Sequence, residues 1–142
     1  MISIIVLLII IAILAFTFVV FIHELGHFLT AKWCGIRVNE FAIGMGPRII
    51  KWGKKETKYS IRLFPIGGFC AMEGEDSKSD DERAFGNKAV WKRMIVVCAG
   101  AVMNIILGFI LGMIMTSKNK VVKLICRIYL EIVRIMPQLV LL

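Results

Sequence analysis

Hydrophobic and polar positions divide the chain into four stretches. Residues 1–22 carry no charged side chain, their only polar ones are Ser3 and Thr17, and the first lysine or arginine is Lys32. An apolar run of this length predicts a helix over residues 2–31. At 1.5 Å per residue it measures roughly 45 Å, longer than a hydrocarbon core of roughly 30 Å. It has no basic leader region and no small-residue cleavage site after it, so it reads as a span and not as a signal peptide. Shorter pieces follow. Asn39–Gly44 runs to a Gly46-Pro47 turn, Arg48–Trp52 runs to a hairpin tip at Gly53–Thr57, and Tyr59, Ile61 and Leu63 alternate with Ser60 and Arg62. That period of two predicts half-buried strands. Pro65-Ile66-Gly67-Gly68 is expected to break the last of them, and Gly68–Met72 could form a fourth. Such pieces fit either a membrane-associated β-element or an ordinary solvated meander. Residues 73–93 are polar and read as a solvated loop. Its acidic cluster has the composition of a calcium loop but not the spacing.

A second uncharged run, Met94–Thr116, predicts another span, with Asn104 near its middle and Gly108 and Gly112 spaced for close helix packing. Asn104 needs a polar partner in hydrocarbon, either a substrate backbone or a neighbouring helix. In the tail, Lys123, Arg127, Glu131 and Arg134 recur at helical spacing among apolar residues, which predicts an amphipathic surface helix. The expected fold class is therefore membrane α-helical. Two transmembrane helices are joined by a small membrane-associated β-sheet loop, with a C-terminal amphipathic helix. The expected units are transmembrane helix 1 (1–32), a central loop (33–93), transmembrane helix 2 (94–116) and a tail of uncertain origin (117–142).

Composition agrees with the pattern: 58% of the 142 residues are hydrophobic, and the mean hydropathy is +0.81. The net charge of +8 could suggest nucleic acid, but the cations flank apolar segments and form no polybasic block. Attraction to anionic headgroups explains them better, and nucleic acid is not an expected partner. Cations near the span ends favour the central loop, which places that loop in the cytoplasm and both termini outside. Cys34, Cys70, Cys98 and Cys126 are scattered and suggest neither a disulfide framework nor a cysteine metal site.

The candidate chemistry lies where the first apolar run ends. His23 and His27 are the only histidines, four residues apart, with Glu24 between them. On a helix, residues i and i+4 share a face, so both imidazoles can address one ion. His-Glu-x-x-His is the arrangement in which two histidines bind zinc and the glutamate is a general base. A carboxylate inside a span costs roughly 2.5–3.5 kcal/mol on insertion scales, which weighs against chance. His23 stands about nine residues, roughly 13 Å, inside the boundary marked by Lys32.

The sequence resembles the N-terminal part of the site-2 protease family, in its bacterial regulated-intramembrane-proteolysis branch. The likeness rests on Phe21–Lys32, Phe41–Pro47, Tyr59–Arg62, Pro65–Phe69 and Met72–Asp76. It continues through Ala84–Lys88, Trp91–Arg93 and Ala99–Asn104, and covers about residues 5–115. The resemblance implies that His23 and His27 bind zinc, that Glu24 activates water, and that the strand region is a membrane re-entrant β-element receiving substrate. It also implies places near the site, or in contact with substrate, for Gly67, Gly68, Gly100 and Asn104. Gly100 and Asn104 fit the family's glycine-x-x-x-asparagine pattern, with Ala101 where a proline usually follows the glycine. The family's third zinc ligand, the aspartate of a Leu-Asp-Gly motif on a later span, has no counterpart in this sequence. The chain thus looks like a C-terminally truncated member.

The leading expectation is an intramembrane zinc metalloendopeptidase in a bacterial cell membrane, acting on a single-span membrane protein. The alternative is a catalytically incompetent, truncated homologue that binds membrane segments. A membrane-tethered zinc protease acting on soluble substrates comes third, and would need its motif outside the lipid.

Overall fold

The computed structural model describes residues 2–53 and 56–116, together with Val121, Lys123, Leu124, Cys126, Arg127 and Leu130 of the tail. The amphipathic helix expected over 117–142 lies largely outside the described residues. The helix α1 runs Ile2–Trp33 and α2 runs Val90–Met115. Both are long and apolar enough to cross a membrane. The second helix starts four residues before its apolar run, so Lys92 and Arg93 lie within its first turn. Trp33 at the end of α1 and Trp91 at the start of α2 are 78% and 57% exposed. Such amphipathic rings suit a membrane–water interface.

Between the helices lie β1, Val38–Trp52, and β2, Lys58–Met72, paired antiparallel. The expected breaks at Gly46-Pro47 and Pro65–Gly68 do not end the strands. Each strand bends and continues, because glycines there supply backbone angles that L side chains rarely adopt. Gly44 has φ +83° and Gly67 φ +77°. A Cβ on Gly44 would also stand 2.4 Å from the Phe64 carbonyl oxygen. The bends lay four segments side by side. Residues 40–43 pair against 71–68 on one side and in step with 58–61 on the other, while 48–52 pair with 62–59. Segment 68–72 is thereby an outer one.

The sheet leans along α1. The Thr17 hydroxyl sits between the carbonyls of Ile13 and Pro65. Thr17 is sixteen residues before Trp33, so the Pro65 bend reaches roughly 24 Å back along the span. The side chains around that bend, Met45, Leu63, Phe64 and Ile66, are exposed. An apolar surface at the depth of a span suits lipid better than water. The core joins α1, α2 and the sheet through Ala31, Cys34, Ile36, Val38, Phe41, Cys70 and Val96, with Phe21, Leu25 and Phe28 packed against it.

On the polar side, carboxylates act as fasteners. Glu40 accepts from Arg48 (2.6 Å), Ser60 (2.7 Å) and Arg62 (3.1 Å), tying three of the four segments together. Burial pushes this carboxyl up, but the hydrogen bonds from Ser60, Arg48 and Arg62 outweigh it and hold the group below the usual carboxylate range. Glu56 joins Lys32 at the end of α1 (2.5 Å) to Arg83 of the loop (2.6 Å). Hydrogen bonds from Arg83 and Lys32 lower its carboxyl to about 2. Glu73, held by Asn39 and Ser79, and Asp81, held by Arg37, strap the loop onto the start of β1.

Candidate metal centre

His23, Glu24 and His27 form a cluster in which one ligand atom from each lies within 4.8 Å of the other two. The two imidazole centroids are 4.8 Å apart and the rings are nearly perpendicular, at 80°. One helical turn sets this spacing, but α2 sets where the rings point. A Cβ on Gly100 would stand 2.5 Å from His23 Nε2 and 2.6 Å from His27 Nε2. Both Nε2 atoms therefore converge on the space that a side chain at residue 100 would fill. One turn further on, Gly26 allows the helices to touch, since a Cβ there would lie 2.6 Å from the Ala99 carbonyl oxygen.

The outer edges of the rings meet α2 as well. His27 Nδ1 is 2.7 Å from the Val96 carbonyl oxygen. A carbonyl can only accept, so Nδ1 carries a proton, and in the neutral tautomer this selects, Nε2 has the lone pair. His23 Nδ1 is 3.2 Å from the Asn104 amide. These features fit a divalent metal: two imidazoles sharing one focus, a carboxylate beside them, and a small-residue cradle that leaves the focus open.

The sheet closes the other side. Phe69, Cys70, Ala71 and Met72 line one wall of a 650 Å³ pocket whose floor is His23, Glu24 and His27, and Val96 and Val97 of α2 line it as well. The backbone N–H of Cys70 hydrogen-bonds the Glu24 carboxylate. A Cβ on Gly68 would lie 3.8 Å from Glu24 Cγ. The outer segment of the sheet thus runs directly past the candidate base.

Of the residues singled out from sequence, His23, Glu24, His27, Gly68, Gly100 and Asn104 come together. Gly67 does not face the cluster; the space beside it is occupied by Met45. The spaces beside Gly108 and Gly112 are open. Sequence reasoning missed the Val96 carbonyl and the wall residues Cys70 and Phe69. It also missed Glu75 and Asp76, which are solvent-exposed, as expected of that loop, yet line the same pocket. A backbone carbonyl carries no sequence signal. The Val96-Gly100-Asn104 spacing of four could have pointed to one helix face.

A sequence profile for peptidase family M50 matches residues 11–140. A protein of Clostridium acetobutylicum, named for zinc metalloprotease activity, is 55% identical over 103 residues, covering 72% of this chain and 30% of the relative. One of Clostridium perfringens, similarly named, is 46% identical over 122 residues, covering 82% of this chain and 36% of the relative. The chloroplast membrane metalloprotease ARASP of Arabidopsis thaliana is 41% identical over 102 residues, covering 69% of this chain and 23% of the relative. The chain thus spans about a third or less of the length of these relatives. With a match across nearly its whole length, the chain belongs to peptidase family M50, the site-2 proteases.

Proposed function

We propose that this chain supplies the metal-binding and water-activating half of an intramembrane zinc endopeptidase. The observation that carries the reading is the convergence of His23 Nε2 and His27 Nε2 on the cradle at Gly100, inside a span and beside Glu24. His23 and His27 would hold the ion through Nε2. Bound zinc supplies Lewis acidity and brings the pKa of water near 7. Glu24 takes the proton from the attacking water and can return it to the leaving amine. The Cys70 N–H orients the carboxylate for this work.

A helical substrate must unwind locally before its carbonyls can be attacked, because they are engaged in backbone hydrogen bonds. Segment 68–72 offers an outer strand alongside Glu24, and strand addition there would hold an unwound substrate extended across the base. Single-span membrane proteins, such as anti-sigma factors or signal-peptide remnants, are the substrates this reading expects. The cation distribution supports an orientation with the sheet and loop on the cytoplasmic side of a bacterial cell membrane. A catalytic zinc site takes three protein ligands. This sequence offers two and lacks Leu-Asp-Gly, so zinc held by these residues alone should bind weakly.

Zinc stoichiometry of the detergent-solubilised chain, alone and as His23→Ala, tests the ligand set. Cleavage of a single-span substrate, with and without Glu24→Gln, tests the base. Zinc lost in His23→Ala, and cleavage lost in Glu24→Gln with zinc retained, are the expected results. Absence of bound zinc in the unmodified chain would overturn catalysis by these residues alone and favour a segment-binding homologue.

A further inference from the structure

The face that α2 turns toward the histidines is a ladder with a step of four residues. Val96, Gly100 and Asn104 follow one another at roughly 6 Å along the helix. They oppose His27 and His23, also four apart, in reverse order. The lowest rung is the Val96 carbonyl oxygen, 2.7 Å from His27 Nδ1. The middle rung is Gly100, under both Nε2 atoms. The top rung is the Asn104 amide, 3.2 Å from His23 Nδ1. Each imidazole therefore has one neighbour on α2 at its outer nitrogen and turns its inner nitrogen toward Gly100.

The two outer neighbours differ in one respect. The Val96 carbonyl can only accept, so it dictates the His27 tautomer. An amide can accept or donate, and turning it by 180° exchanges its oxygen and nitrogen at nearly the same positions. With the nitrogen toward His23, the amide donates to Nδ1. That places the imidazole proton on Nε2 and blocks the inner position, in a ring that also hydrogen-bonds the Gly100 backbone. It also leaves Asn104 Oδ1 buried without a hydrogen-bond partner. With the oxygen toward His23, Oδ1 accepts from Nδ1–H and the Nε2 lone pair points to the shared focus. One amide group goes unpaired either way, so the imidazole decides.

Resting on the zinc-site reading above, we propose that Asn104 is a positioning residue for His23. Its amide oxygen accepts the Nδ1 proton and fixes the tautomer whose Nε2 can bind metal, the task the Val96 carbonyl performs for His27.

The first test needs no metal. Imidazole nitrogen shifts of the metal-free chain in micelles, at about pH 8 and so above the ordinary histidine range near 6.5, report each tautomer. The proposal expects Nδ1–H at His23 in the unmodified chain, retained in Asn104→Asp, whose carboxylate only accepts, and lost in Asn104→Leu. The His27 signals should stay unchanged in both variants, a control that a general collapse of the helix pair would fail. A His23 that is Nε2-protonated in the unmodified chain, or indifferent to Asn104→Leu, overturns the proposal.

The second test is a zinc competition titration. Affinity should fall roughly 10- to 100-fold in Asn104→Leu, the usual range for losing an outer partner of a metal-binding histidine, and recover in Asn104→Asp. Unaltered affinity in Asn104→Leu, or loss in Asn104→Asp, also overturns it. Expected tautomers without zinc binding in any variant would uphold the role of Asn104 and reject the zinc reading instead.

Discussion

The two sides of this molecule are positioned by opposite means. Where α1 meets α2, the geometry depends on atoms that are missing. Gly26 and Gly100 let the helices touch and leave room for two imidazole edges, and the polar contacts include those between the rings and Val96 and Asn104. Where the sheet and loop meet the end of α1, the geometry depends on charge. Glu40 gathers Arg48, Ser60 and Arg62, and Glu56 bridges Lys32 and Arg83. The difference follows from the surroundings. Hydrocarbon gives ion pairs no water to fall back on and makes each polar group expensive, so close packing of small residues does the aligning there. Near water, charged side chains can be solvated when they part, and they serve as adjustable ties.

This contrast predicts a graded series of effects. The largest is at the cradle: Gly100→Ala places a methyl in the ligand focus. We expect zinc affinity to fall by at least roughly 100-fold, the upper end for disturbing a metal-ligand shell, as measured by competition titration. Gly26→Leu acts through packing. Its side chain overlaps the Ala99 backbone and Met103, so a disulfide crosslink engineered between α1 and α2 should form more slowly. The expected stability loss is about 1–3 kcal/mol, typical of overpacking.

Glu40→Ala leaves Arg62, only 19% exposed at its side chain, without its carboxylate. Breaking a buried pair costs about 3–5 kcal/mol, but the exposure of Arg48 reduces this, and we expect about 2 kcal/mol in denaturant titrations. Glu40 also brings a pH dependence. Its carboxyl is lower in the folded chain, so its contribution is present above the unfolded value near 4.5 and is lost as pH falls through the folded one.

The smallest effect belongs to Glu56→Gln. An exposed tie contributes about 0.2–1 kcal/mol per pair, so the unfolding midpoint should move little and zinc affinity not at all. The sign is the same as for Glu40: the contribution of Glu56 disappears between pH 4.5 and about 2. A larger loss in Glu56→Gln than in Gly100→Ala, with zinc affinity as the readout, would break the comparison.

Much of this organisation is legible in the residues themselves. An uncharged run longer than a bilayer core has few stable forms besides a spanning helix, and a four-residue histidine spacing on a helix can only place both rings on one side. Alternation from Tyr59 to Leu63 marks a strand. The bends were misjudged, because glycine and proline signal a change of direction equally well whether the strand stops or continues. Here positive-φ glycines let each strand turn and keep pairing.

By itself, then, the sequence determined the two apolar helices, the strand-forming stretches and the His-Glu-x-x-His motif, all properties that local periodicity and side-chain chemistry decide. Tertiary structure decided which atoms face the focus. It brought Gly100 beneath two rings more than seventy residues earlier, set the Val96 carbonyl against one imidazole and Asn104 against the other, and ran segment 68–72 past Glu24. Those relations depend on how α2 and the sheet pack against α1, a long-range outcome of close contact that no local pattern encodes.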